Sequence, residues 1–175
     1  MCKNKLPVFK YFPDPIKEGV IKKEKTLCPV CGEEKDYVYV GPLYAFDTVE
    51  GICPWCIKDG KAAEKYDGEF QPEESCEKVD NKEYLDELIH RTPGYFGCQE
   101  ELWLSHCGDY CAFMGLLGRD RFDELEDELK EDIERIVKYE DITYDEFKDS
   151  IGRYRWAYLL KCLKCGKYRL TTDVE

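Results

Sequence analysis

The chain has 175 residues, 43% of them hydrophobic and 14% aromatic, enough for one domain or two small ones with a real core. No apolar run approaches the roughly 18 residues of a membrane span, and MCKNKLPVFKYFPDP lacks the apolar centre of a secretory signal, so a cytoplasmic location is expected. Thirty-eight acidic residues against 26 basic ones give a net charge of −12, which opposes binding to a phosphate backbone and makes nucleic acid an unfavoured partner.

Residues 6–26 are punctuated by proline and rich in lysine, an extended arm in which Val8, Phe9, Tyr11 and Phe12 can lie on the domain. TLCPVCGEE, 26–34, has the Cys-x2-Cys-Gly form of a zinc knuckle, with Gly32 giving the backbone freedom to turn back under a metal. DYVYV, 36–40, predicts a strand ended by Gly41-Pro42, with 43–46 as its hairpin partner. A helix is expected from Cys53 through IKDGKAAEKY, weakened at Gly60.

Turn formers and acids make 67–80 a loop. Tyr84, Leu85, Leu88 and Ile89 form one stripe of a short helix over 81–91, stopped by Thr92-Pro93-Gly94. The stretch 95–118 is apolar, aromatic and glycine-punctuated, and should be buried around a further cysteine pair. Phe122, Leu125, Leu129, Ile133 and Ile136 recur at steps of three and four, so 121–139 is an amphipathic helix with an acidic outer face. Thr143-x-x-Glu146 is a capping box opening a short helix through Phe147 to Ile151, and the C-terminal stretch reads as strand, knuckle, strand.

The cysteines carry the chemistry. Eight of the 11 fall in close pairs, Cys28 with Cys31, Cys53 with Cys56, Cys107 with Cys111 and Cys162 with Cys165, leaving Cys2, Cys76 and Cys98 as thiols without a task. Zinc takes four ligands in a tetrahedron and thiolates suit it well, so Cys28, Cys31, Cys53 and Cys56 make one closed structural site. A knuckle supplies the first two and the first turn of a helix the last two, the plan of a treble-clef finger, with Pro54-Trp55 where proline is tolerated. The rival reading of CPWC is a thiol-disulfide redox pair, which calls for a thioredoxin-like βαβ pattern that the preceding residues lack.

Cys162 and Cys165 with Gly166 form a second knuckle. Cys107 and Cys111, four apart, face the same way if they share a helical turn, and would complete a second site with it. His106 is a substitute ligand, or a donor to a thiolate from just outside the ligand set. His90 reads as a charge-compatible helix end. Two zinc ions per chain are thus expected, neither with the open position that catalytic zinc needs. No Gly-rich phosphate loop, Ser-His-Asp order or His-Glu-x-x-His is present, which leans the reading away from an enzyme, although a cysteine nucleophile served by His106 or His90 stays open.

The segments LPVFKYFPDP at 6–15, CPWCIKDGKAAEKYDGEFQ at 53–71, RTPGY at 91–95, HCGDYCAFMG at 106–115 and CLKCGKYRL at 162–170 resemble the CbrC family, a bacterial group whose namesake is called a colicin-tolerance protein. The resemblance implies an intracellular protein without established activity, in which all four cysteine pairs are family features. Cys98 departs from the family pattern, and 119–157 does not match it.

The expected architecture is α+β. An arm and zinc module over 1–70 is followed by a helical segment and second knuckle module over 71–175, packed together as one unit. The expected role is a structural-zinc interaction or tolerance-related protein, whose partner is another protein, possibly a basic one, met at the helix 121–139 or the segment 95–104. A redox sensor and a zinc-module protein associated with nucleic acid are the other readings.

Overall fold

The computed structural model describes residues 5–98 and 102–175; Cys2 and positions 99–101 of the aromatic segment 95–104 lie outside the described residues. Two-residue strands frame the N-terminal half. β1 (Ile21–Lys22) pairs antiparallel with β4 (Val38–Tyr39), and β2 (Thr26–Leu27) with β3 (Glu34–Lys35). The expected hairpin between 36–40 and 43–46 does not form: β4 takes its partner from the arm, and Tyr44 bridges Glu69 instead. The arm delivers that partner because the N–H groups of Val20 and Ile21 both bond the Pro15 carbonyl, a tight turn that swings 21–22 back onto the domain. Phe9, Tyr11 and Phe12 are buried as anticipated, whereas Val8 is 72% exposed.

The helix after Cys53 is two helices. α1 (Pro54–Lys58) ends before Gly60, whose φ of +75° leaves the right-handed helix region, and α2 (Lys61–Tyr66) restarts from it. α3 (Lys82–Arg91) is capped by Asn81, whose side chain accepts from the Glu83 N–H, and it buries Leu88 and Ile89.

Cys107 and Cys111, which would face the same way on one helical turn, lie instead in a run of short strands and a turn over 105–116. β5 (Ser105–His106) and β6 (Asp109–Tyr110) form a hairpin, and β7 (Ala112–Leu116) is one edge of a three-stranded antiparallel sheet. β8 (Arg155–Lys161) is its centre and β9 (Tyr168–Val174) its other edge. α4 (Arg119–Glu140) lies against β9 and buries Phe122, Leu129, Ile133 and Ile136. α5 (Tyr144–Ser150) opens on the anticipated capping box, with the Thr143 hydroxyl accepting from the Glu146 N–H.

Two cores result. The larger gathers Phe9, Tyr11, Ile21, Ile52, Ile57, Phe70, Leu88, Tyr95, Trp103, Phe113, Tyr158 and Leu160, with Tyr95 stacked on Phe113 at 4.2 Å between ring centres. The smaller lies between the sheet and α4 with α5, from Leu117 to Leu170. The larger core reaches both cysteine clusters, taking in Cys28, Cys53 and Cys56 of one and Cys162 of the other, with Cys111 buried beside them. Among the described residues no helix is long and apolar enough to cross a membrane.

Candidate metal centres

Two turns of the same construction supply the first donors of each centre. In one, the Cys28 N–H bonds the Glu33 carbonyl at 2.9 Å and the Gly32 N–H bonds the Cys28 carbonyl at 2.9 Å. In the other, the Cys162 N–H bonds the Lys167 carbonyl at 2.9 Å and the Gly166 N–H bonds the Cys162 carbonyl at 3.0 Å. The pattern needs its fifth residue in the left-handed region, which is why Gly32 (φ +68°) and Gly166 (φ +78°) follow the two Cys-x2-Cys pairs. A strand enters and a strand leaves each turn, β2 and β3 in the first and β8 and β9 in the second.

The first centre is the expected one. Cys28, Cys31, Cys53 and Cys56 place their sulfur atoms all within 4.8 Å of one another. Cys53 is the N-cap of α1 and Pro54 its first residue, and the helix start brings the Cys56 N–H onto the Cys53 sulfur. Burial alone would raise the Cys28 thiol. N–H groups of Cys31, Cys53 and Val30 converge on its sulfur, the Cys53 one at 3.3 Å, and bring it down to about 7. The neighbouring thiols go the other way: burial pushes Cys53 up to about 11, and Cys56 higher still, because without a cation the anionic sulfurs repel. Such a set favours one thiolate on its own and needs a positive charge at its centre to ionise the rest.

The second centre differs from expectation in one ligand. The donors that come together within 4.8 Å are His106, Cys107, Cys162 and Cys165; Cys111 is not among them. The reason is the hairpin. Cys107 (φ +55°) and Gly108 (φ +69°) are the two central residues of a tight β-turn, with His106 opposite Asp109. That geometry puts His106 and Cys107 together at the tip. Cys111 lies beyond β6, fully buried against the larger core, and its thiol is pushed up to about 12 by that burial. The His106 Nδ1 lies 3.2 Å from the Cys107 sulfur and 3.3 Å from that of Cys165. Cys162 repeats the part of Cys28: burial opposes its ionisation, yet the N–H groups of Cys165 and Lys164 hold it at about 6. Cys107, by contrast, is raised to about 11, first by the Cys165 thiol beside it and then by burial.

The surrounding contacts hold both turns in place. Asp109, nearly buried on β6, accepts from the Tyr11 hydroxyl at 2.7 Å and the Lys10 ammonium at 3.0 Å, which fastens the N-terminal arm to the hairpin. Lys164 reaches the Cys107 carbonyl at 3.0 Å and Arg169 donates to the Ser105 carbonyl, so the two turns are tied by more than their sulfurs. The other described cysteines, Cys76 and Cys98 as well as Cys111, are outside both sets. Cys76 is half-buried with its thiol directed at the Pro72 carbonyl, and Cys98 is exposed. His90 in the last turn of α3 pairs with Asp86 at 2.8 Å.

The chain belongs to an uncharacterised protein family, UPF0167, whose model matches residues 6–174. A UPF0167 protein of Mycobacterium bovis is 36% identical over 186 residues, covering 97% of this chain and 94% of its own length. A Mycobacterium tuberculosis UPF0167 protein matches to the same extent, and one of Pseudomonas aeruginosa is 34% identical over 96% of this chain and 97% of its own length. Neither the family description nor these names carries the CbrC label. No solved structure matches the chain.

Proposed function

We propose that the protein is a two-zinc, non-catalytic interaction protein in which both ions are structural. The observation that carries this reading is the pair of four-donor groups, one of four thiolates and one of three thiolates and an imidazole, each built on a knuckle turn whose first sulfur receives backbone N–H groups. Donors of this kind suit zinc, and a set filled entirely by protein leaves no position for a reacting water. The first centre follows the treble-clef plan of knuckle, short strands and helix start. Because Cys53 and Cys56 share their group with Cys28 and Cys31, the sulfurs that a redox pair would need are the ones the tetrahedron uses.

The interaction surface is the outer face of α4. Asp120, Glu124, Asp127 and Glu128 are exposed along it and make no ion pair among the described residues, a stripe that complements a Lys- and Arg-rich protein. The metal contributes folding free energy on the order of 10 kcal/mol per site. The test is removal of zinc from reduced protein by a strong chelator, followed by near-ultraviolet circular dichroism, for which buried Trp103, Tyr95 and Tyr158 are the reporters. Loss of that signal, restored by zinc, is expected. A metal-free chain with an unchanged aromatic spectrum and melting temperature sinks the reading.

A further inference from the structure

The two groups differ in how far solvent reaches their sulfur atoms. In the first, Cys28, Cys53 and Cys56 are 0, 1 and 4% exposed, and Cys31 alone faces solvent. In the second the balance reverses. Cys107 and Cys165 are both exposed, His106 is half-buried, and only Cys162 is covered. The exposed pair sits on two different turns, the tip of the β5–β6 hairpin and the knuckle between β8 and β9, yet their sulfurs lie within 4.8 Å of each other. Closing that gap to a disulfide takes a movement of about 3 Å at most, shared between two turn tips.

From this contrast we infer that the second centre is an oxidation-releasable metal site: hydrogen peroxide converts Cys107 and Cys165 to a disulfide and the ion leaves, while the first centre keeps its own. The inference rests on the two-zinc reading. Its chemistry is balanced by the peroxide as oxidant. One exposed thiolate attacks a peroxide oxygen, an S–O bond forms as the O–O bond breaks, and hydroxide leaves. The second thiolate then attacks that sulfur, an S–S bond forms and a second hydroxide leaves. Two electrons pass from the two sulfurs to the peroxide, and two solvent protons convert the hydroxides to water.

After this step only His106 and Cys162 remain as donors, too few to hold a tetrahedral ion. The framework around them has ties besides the ion, and the new disulfide joins the same two turns that the ion joined. β8 and β9 pair from Arg155 with Val174 to Lys161 with Tyr168, and Lys164 and Arg169 bond the hairpin carbonyls. The change is therefore local and reversible by a thiol reductant with zinc. In the first centre a peroxide reaches Cys31, but every sulfur that could resolve the product is buried in the core, and Cys28 is further held by the Cys53 N–H at 3.3 Å.

The experiment uses the wild-type, zinc-loaded chain, so no ligand variant has to fold. Hydrogen peroxide is added with a chromogenic zinc chelator present, and aliquots are alkylated and mapped by peptide mass spectrometry. One zinc equivalent should leave at least about tenfold faster than the other, with a Cys107–Cys165 disulfide appearing at the same rate. Equal release rates would overturn the inference. So would a first disulfide among Cys28, Cys31, Cys53 and Cys56, or a fast zinc loss that leaves Cys107 and Cys165 open to alkylation. Zinc content measured on the same sample before peroxide tests the two-zinc reading separately.

Discussion

Replacing Asp132 by alanine probes how α4 is fastened to the sheet beside the second centre. Asp132 is 5% exposed, and its carboxylate accepts from the Arg169 Nε at 2.8 Å, the Arg169 Nη2 at 3.0 Å, the Leu170 N–H at 2.9 Å and Arg135 at 3.1 Å. Removing one member of a buried, hydrogen-bonded ion pair costs about 3–5 kcal/mol. The lower end applies here, about 3 kcal/mol, because the Arg169 side chain is 15% exposed and keeps Glu77 at 3.5 Å and the Ser105 carbonyl. With a urea m-value of roughly 2 kcal/mol/M, the unfolding midpoint of the zinc-saturated variant should fall by about 1.5 M. Asp132→Asn, which keeps an acceptor for the Leu170 N–H but loses the charge, should lose about half as much.

The pH dependence follows from the same contacts. Burial would push the Asp132 carboxyl up, but Arg169 and the Leu170 N–H outweigh it and hold the group below the usual range. A carboxylate depressed in the folded state contributes stability above its unfolded value of about 3.9 and loses it only as pH falls through the lower, folded value. The difference between wild type and variant should therefore be flat from about pH 8 to about 5.5. A midpoint shift under about 0.3 M, or a difference that closes within that window, refutes the reasoning.

Three further outcomes are expected. His106→Ala should retain one tightly held zinc per chain, whereas Cys111→Ser should retain two and lose only packing stability, both read by metal analysis after gel filtration. Thr143→Ala removes the acceptor for the Glu146 N–H at the start of α5 and should cost about 1 kcal/mol in denaturant unfolding. Gly94→Ala should be far more damaging, since an added Cβ would sit 2.2 Å from the Phe70 carbonyl oxygen and 3.1 Å from the Pro42 ring; a variant within about 0.5 kcal/mol of wild type would contradict the packing described.

Much of this structure is legible in the residues. The two Cys-x2-Cys-Gly turns, the capping box at Thr143 and the apolar stripe of α4 are local signals, set within a few residues by backbone sterics and side-chain period, and each appears where those rules put it. The mixed α+β character follows from them. What was not legible is non-local. β4 had an adjacent candidate partner at 43–46 and took a distant one at 21–22, a choice made by the turn at Pro15 and by core packing.

The exchange of His106 for Cys111 has a different origin. A spacing of four suggests one helical turn, but it is equally the span from a hairpin tip to the strand beyond it, and the distinguishing mark was Gly108 directly after Cys107. A two-residue turn with both φ values positive favours glycine at its second place, so HCGD flanked by Leu104 and Tyr110 carried a hairpin signal.

The most direct measurement is native mass spectrometry of the intact, reduced protein as purified. Two zinc ions per chain are predicted, one of which is lost from His106→Ala, with all eleven cysteines present as thiols or metal-bound thiolates. A folded chain free of metal, or one whose mass is lower by about two hydrogen atoms because Cys53 is bonded to Cys56, would contradict the account.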